Sequence, residues 1–175
     1  MDVMKRKVEV VEHNEDWKNK FNKEAERIKK ALGRNITNIY HIGSTSIPNI
    51  KAKPIIDILV SVNNIDKVDN HNKAMEDLEY EAMGEFGIKG RRYFRKGGNN
   101  RTYHVHIFHK ENNELDRHIN FRDYMIAHPE DAKKYSELKE SLAKKYTYNI
   151  EKYIEGKDSF IKSIDQKAKE WKKGI

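Results

Sequence analysis

The stretch His41–Pro48, HIGSTSIP, decides the fold together with Pro54–Val60, PIIDILV, which follows it closely. One apolar segment ends at a Gly-Ser pair, and the next carries a single acid, Asp57, inside an otherwise apolar run. Runs of this length and composition predict two central strands, Ile36–Ile42 and Pro54–Val62. An acid inside a buried strand is costly unless it is paired or binds a cation, so its position indicates a functional role.

The turn between these strands is suited to holding an anion. Gly43 lets the backbone turn sharply and approach a ligand closely. The small hydroxyl residues Ser44, Thr45 and Ser46 leave amide and hydroxyl donors free for a phosphate. The sequence therefore predicts a phosphate-binding turn that faces the carboxylate of Asp57. The structural alternative is an ordinary turn beside a hydrogen-bonded acid.

Composition limits the class of protein. The chain has 175 residues, which predicts one domain over residues 1–175. It contains no cysteine, which excludes disulfides and thiolate metal sites. No apolar run approaches the roughly 18 residues that span a bilayer, and no secretory signal is recognised. We therefore expect a cytoplasmic protein that makes no membrane contact.

The net charge of +7 is concentrated in one segment. Residues 86–110 contain seven Lys or Arg and no acid, so this segment equals the excess of the whole chain. Such concentration favours an anionic partner, either a phosphorylated small molecule or, less favoured, a nucleic acid. Arginine and aromatic residues interleave there, as in stacking platforms for nucleic acids. A solvated hairpin is the structural alternative.

The remaining pattern is α+β. Apolar spacing predicts a helix from an N-cap at Asn14 to Gly33 after an extended segment at Val8–Val11, and a second helix over Ile65–Met83. We expect a small mixed sheet flanked by helices, with a helical C-terminal half. The other predicted elements are a hairpin of Arg91–Lys96 and Arg101–Lys110 and three helices over Glu114–Ala127, Pro129–Tyr146 and Asn149–Lys172.

Several other side chains are candidates for chemistry. His104 and His106 share one face of a predicted strand, and with Asp57 they would form a plausible metal set. Imidazole ligands suit Zn, Fe, Ni or Mn better than Mg. Lys157 and Arg122 interrupt the apolar stripes of two C-terminal helices. They either extend to solvent from an apolar face or point into a central cleft to bind phosphate.

Two resemblances sharpen this interpretation. The Gly-Ser strand end followed by an acid-bearing strand resembles DNA polymerase beta-type nucleotidyltransferases, although Leu59 stands where their second acid would be. From about Val8 to Lys169 the chain also resembles the GrpB family, which implies a nucleotidyltransferase-like fold. The motifs that carry this resemblance are His41–Pro48, Ala52–Ile58, His104–His106, Phe121–Tyr124 with Ala127–Glu130, Tyr135–Leu142 and Gly156–Ile161.

The leading hypothesis is a metal-dependent enzyme that transfers a nucleotidyl group to a small molecule. Ser44 and Thr45 would hold the β- and γ-phosphates, with Mg²⁺ as the expected ion and Zn, Mn or Ni as alternatives. A metal-dependent phosphohydrolase, or a binder of nucleotides or coenzyme A precursors without catalysis, is the second hypothesis. The predicted catalytic residues are Asp57, Lys157 and Arg122, the phosphate-binding residues Gly43, Ser44, Thr45, Ser46, Lys53 and Arg92, and the metal ligands Asp57, His104 and His106.

Overall fold

Five strands form one mixed sheet in the computed structural model, which describes residues 6–175. Their spatial order is β1-β2-β5-β4-β3, where β2 and β5 run parallel and every other neighbouring pair is antiparallel. The strands are β1 (Ile36–Ile42), β2 (Ile56–Val62), β3 (Tyr80–Ala82), β4 (Arg92–Lys96) and β5 (Tyr103–His109).

The helices confirm the predicted α+β class, with a helical C-terminal half. Pro129 occupies the first turn of the fourth helix, where a missing N–H costs nothing. In the part of the chain described, no helix is both long and apolar enough to cross a membrane. The helices are α1 (Asp16–Leu32), α2 (Asn72–Asp77), α3 (Asn113–Ala127), α4 (Pro129–Lys145) and α5 (Ile150–Lys173).

The predicted helix over Ile65–Met83 is wrong. The chain there forms a 3-10 segment, Asp66–His71, then the short α2, and then β3, which pairs with β4. Glu79 has a φ of 74° and so ends the helical path. Few apolar residues support a helix there, and pairing with β4, the next strand along the chain, is favoured over the local helical preference.

Differences at the N-terminal end are smaller. Helix α1 begins at Asp16 with Glu15 at the N-cap, whereas the predicted cap, Asn14, accepts a hydrogen bond from the Asp16 amide at 2.9 Å. The segment predicted as extended at Val8–Val11 makes a single β-bridge, from Val11 to Ala52. Gly33 ends α1 as expected, with a φ of 65°.

The two faces of the sheet pack against different parts of the chain. On β2, Ile58 and its alternate neighbours pack against α1 and α2 in the main core. The opposite face carries Asp57 and Leu59, and Leu59 packs with Leu115 of α3. Because the second face is covered by the C-terminal helices, Asp57 lies between the sheet and the helical half.

Candidate functional site

The predicted turn lies beside the predicted acid. Strand β1 ends at Ile42, which is paired with Asp57 in the sheet register. Gly43 then adopts a φ of 73°, and Ser44–Ser46 make one 3-10 turn. The Asp57 carboxylate lies directly against Gly43. Strand register and the glycine turn therefore bring together residues that the sequence separates.

Two histidines of β5 converge on one oxygen of Asp57. His106 Nε2 lies 3.3 Å and His104 Nδ1 3.5 Å from Asp57 Oδ1. Burial works to raise the pKa of Asp57, but hydrogen bonds from His104 and His106 outweigh it and hold the pKa well below its usual range. The carboxylate therefore stays ionised at neutral pH and is a poor general base.

Arg91 fixes the tautomer of His106. Its Nη1 lies 3.3 Å from His106 Nδ1. Because an arginine can only donate, Nδ1 must accept, and the ring proton of neutral His106 resides on Nε2. That proton is donated to Asp57 Oδ1. Arg91 is itself held by the backbone oxygens of Glu85 and Phe86.

This arrangement does not fit the predicted three-ligand metal set. A metal would need the Nε2 lone pair of His106, but that nitrogen carries the proton shared with Asp57. Among residues 6–175, no three His, Cys, Asp or Glu side chains are grouped as metal ligands. Asp57, His104 and His106 instead form a hydrogen-bonded triad.

A cavity of about 350 Å³ opens in front of Asp57, between the Gly43 turn and the C-terminal helices. Its size falls within the range of small-molecule sites. The predicted site residues that line this cavity are Gly43, Ser44, Thr45, Lys53, Asp57, His104 and Lys157.

The cavity also contains residues that sequence reasoning missed. Lys139 of α4, Arg117 of α3 and Tyr153 of α5 line it. Lys139 is one of the buried residues of α4, and the others are small or aromatic. A cation within an apolar stripe is the same signal that drew attention to Lys157, so Lys139 was recognisable in principle.

Besides His106, which contacts Asp57 from β5 without lining the cavity, three predicted residues lie outside it. Arg122 donates to the His41 carbonyl at 3.2 Å, pairs with Asp123, and lines a separate cavity with Ser46. Arg92 pairs with two acids near α2, Asp66 and Asp69. None of the three faces the Asp57 carboxylate from within the main cavity, so their predicted roles in binding or catalysis gain no geometric support.

Much of the basic segment is neutralised by its own fold. Arg95 pairs with Glu81 at 2.6 Å, and Lys96 pairs at 2.6 Å with Glu24, which is fully buried. With Arg92 also paired, three of the seven cations are engaged by acids from elsewhere in the chain. The predicted anion-binding surface on the hairpin is thus weaker than the sequence indicates.

The lysines that line the cavity differ from these paired cations, because within residues 6–175 they form no ion pair with an acid. Burial, with the charges of Lys157 and Lys53, lowers the pKa of Lys139 to about 6. Burial and the charge of Lys53 lower the pKa of Lys157 to about 7, and burial lowers that of Lys53. Each ammonium is thus desolvated and repelled by its neighbours, which favours an anionic ligand.

Comparison with known proteins places the chain in a family. The sequence profile described as GrpB protein matches residues 7–167. The chain belongs to the GrpB family. It is 51% identical over 170 residues to the UPF0157 protein YqkA of Bacillus subtilis. That match covers 97% of this chain and 50% of YqkA, so the chain spans half the length of that relative.

Two further relatives share nearly their whole length with the chain. The glutamate-rich protein GrpB of Alkalihalophilus pseudofirmus is 34% identical over 94% of this chain and 97% of its own. A crystal structure of the conserved protein GrpB from Enterococcus faecalis superposes with a TM-score of 0.90 at 46% identity. It covers 93% of this chain and 99% of that chain, so the fold described above is that of the GrpB family.

Proposed function

We propose that this GrpB-family protein binds a nucleotide in the cavity before Asp57 and transfers its nucleotidyl group to a small molecule. The observation that carries the proposal is the meeting, in one cavity, of Gly43, Ser44 and Thr45 of the turn, an ionised carboxylate and three lysines that form no ion pair within residues 6–175. Phosphoryl-transfer enzymes act chiefly by positioning and by charge stabilisation, and these groups supply both.

The cavity offers places for both parts of a nucleotide. Lys53 and Lys157 would neutralise the phosphates, while the hydroxyls and amides of Ser44 and Thr45 would hold phosphate oxygens. Apolar side chains such as Phe121 and Ile161 line another part of the wall and suit a base or sugar. An acceptor hydroxyl or amine would attack the α-phosphorus and lose its proton to solvent. The bond to the bridging oxygen would break, and pyrophosphate would leave.

Asp57 has an electrostatic role in this scheme. Its carboxylate is ionised and its Oδ1 is oriented by His104 and His106, so it would attract a cation or orient a hydroxyl donor of the acceptor. Mg²⁺ enters as part of the nucleotide substrate, since nucleotides bind it through their phosphates. Cytoplasmic location, where such nucleotides are available, belongs to the same proposal.

One observation favours a second candidate, a nucleotide-binding protein without transferase activity. Two-metal transfer sites use several carboxylates, whereas Asp57 is the only carboxylate that lines this cavity within residues 6–175. Leu59, where the second acid of nucleotidyltransferases would stand, is fully buried. Binding and chemistry must therefore be measured separately.

The experiment uses the full chain with radiolabelled nucleoside triphosphates, Mg²⁺ and a pool of small-molecule acceptors. Transfer predicts pyrophosphate release and a labelled product, both reduced by Asp57→Asn about a hundredfold, as for loss of an electrostatic catalytic group. Binding without pyrophosphate release would support the second candidate. Asp66→Asn, which alters an exposed acid near α2, is the matched control and should leave both measurements unchanged.

A further inference from the structure

Three lysines from separate elements surround the inner part of the cavity. Lys53 precedes β2, Lys139 lies on α4 and Lys157 on α5. Asp57 is the acid whose charge acts on Lys53 and Lys157, and its carboxylate is already engaged by two histidines. In the described chain, none of the three amino groups forms an ion pair, so no acid of the protein compensates the charge that each carries when it is protonated. A bound anion would favour the protonated forms.

The lysines are fixed in place by aromatic rings. Lys157 Nζ lies 4.7 Å and Lys53 Nζ 5.2 Å from the centroid of the Tyr153 ring. Lys139 Nζ lies 4.5 Å from the centroid of Tyr135 and donates to a backbone carbonyl. Lys139 is only 1% exposed. Cation–π contacts orient ammonium groups but leave their charge uncompensated.

A polar group without a partner lies in the same place. Tyr153 is 0% exposed, and its hydroxyl makes no hydrogen bond to any residue in the range 6–175. Buried polar groups in native proteins are nearly always satisfied, so an orphaned hydroxyl in a ligand cavity indicates a missing ligand atom. An anion oxygen would accept from this hydroxyl and from the lysines together.

We infer that Lys139, Lys157 and Tyr153 form a subsite for the terminal phosphates of a polyphosphate chain, so the ligand is a nucleoside di- or triphosphate. This inference rests on the proposed nucleotide binding, and it changes one predicted detail. The sequence assigned the β- and γ-phosphates to Ser44 and Thr45. The lysines instead hold them, which leaves the α-phosphate beside the Gly43 turn and Asp57, where transfer would occur.

Charge determines the preferred chain length. A single phosphate group carries about two negative charges at neutral pH, fewer than the positive charges of the three lysines once a bound anion stabilises their protonated forms. A di- or triphosphate supplies more charge along an extended chain and can contact lysines from several elements at once. The subsite therefore selects against nucleoside monophosphates and unphosphorylated nucleosides.

The test is titration of the full chain with inorganic phosphate, pyrophosphate and tripolyphosphate, free of metal and phosphate buffer. Affinity should rise by about fivefold or more with each added phosphate, and Lys139→Met should weaken tripolyphosphate binding about tenfold. Lys133→Met, on the exposed side of α4, is the matched control and should bind as wild type. Equal affinity for the three probes, or unaltered binding by Lys139→Met, would overturn the inference.

Tyr153→Phe provides a second variant that retains the packing. It removes only the orphaned hydroxyl, so the unliganded protein should be no less stable, while tripolyphosphate binding weakens severalfold. Unchanged affinity in this variant counts against the subsite. If wild type binds tripolyphosphate but no nucleoside triphosphate, the proposed function fails and the subsite stands. If nucleotides bind equally well to wild type and Lys139→Met, the subsite fails and the function stands.

Discussion

A Cβ atom at position 43 would lie 2.6 Å from Asp57 Oδ2, so the Gly43 backbone and the Asp57 carboxylate are in direct contact. Two constraints therefore act on Gly43. Its φ of 73° lies in the left-handed region, and the space beside it is filled by the acid. Any side chain here must displace the carboxylate that the proposed site uses.

Gly43→Ala should reduce nucleotide binding and stability together. The positive φ costs about 1–2 kcal/mol for a residue with a Cβ atom, and the collision adds to it. Gly33→Ala is a matched control, because Gly33 has a φ of 65° and nothing within 4 Å of the added atom. Thermal unfolding and nucleotide titration of both variants check this. A Gly43→Ala protein that behaves like Gly33→Ala would contradict the contact.

Arg91→Met should allow both neutral tautomers of His106 to form. With no donor at Nδ1, the ring is free to place its proton on either nitrogen, so the population of the Nε2–H form falls. Nitrogen NMR shifts of the imidazole, recorded at pH 8, report the tautomer directly. Arg92→Met, at the neighbouring arginine that pairs with Asp66 and Asp69, should leave the His106 signals unchanged.

The unliganded protein should become more stable as pH rises above neutrality. Burial lowers the pKa of Lys139 to about 6, whereas in the unfolded chain the pKa is near the ordinary lysine value of 10.5. Between these values the unfolded chain binds more protons, so the free energy of unfolding rises with pH, by at most about 1.4 kcal/mol per unit for one lysine. Lys157 adds to this above about pH 7.

Lys139→Met should reduce the dependence of the free energy of unfolding on pH by about the contribution of one lysine. Urea unfolding at intervals from pH 7.5 to 9 measures it, in a range where His41 and His118, with pKa values lowered by burial to about 4 and 3, contribute little. Lys133→Met should retain the wild-type slope. Parallel curves for wild type and Lys139→Met would show that Lys139 keeps its charge in the folded protein.

Glu24→Ala should destabilise the fold by about 3–5 kcal/mol, because it leaves Lys96 without its buried partner. Tyr80→Phe removes only the hydrogen bond from the tyrosine hydroxyl to Glu24, 2.6 Å long, and should cost about 1 kcal/mol. Chemical denaturation of the two variants gives the comparison. Similar small losses for both would indicate that Lys96 is free for an external anion.

The strands around the site were predictable because their signals are local. Two segments, Ile36–Ile42 and the run after Pro54, are rich in apolar and β-branched residues and are bounded by turn residues. Both form strands. The strand at Tyr80–Ala82 was not predictable in the same way, since it has only three residues and is defined by its pairing with β4. Local spacing cannot report a partner that lies elsewhere in the chain.

Two cationic side chains show that local spacing also fails to predict which residues line the site. Lys157 and Arg122 each interrupt an apolar helical stripe, so the sequence predicts the same role for both. In the structure Lys157 lines the cavity with Asp57, whereas Arg122 lies on the other side of the turn, bonded to the His41 carbonyl. Which face of a helix meets the cavity depends on how α3 and α5 pack, and that packing is a tertiary property.

Calorimetric titration of the full chain with Mg²⁺ and each of the four common ribonucleoside triphosphates tests the central claim most directly. The account predicts saturable binding of at least one of them, weakened about tenfold or more in Lys157→Met through loss of a charge-assisted contact. The exposed Lys162→Met on the same helix should bind as wild type. Absence of binding to wild type at millimolar nucleotide, or equal binding by Lys157→Met, would contradict it.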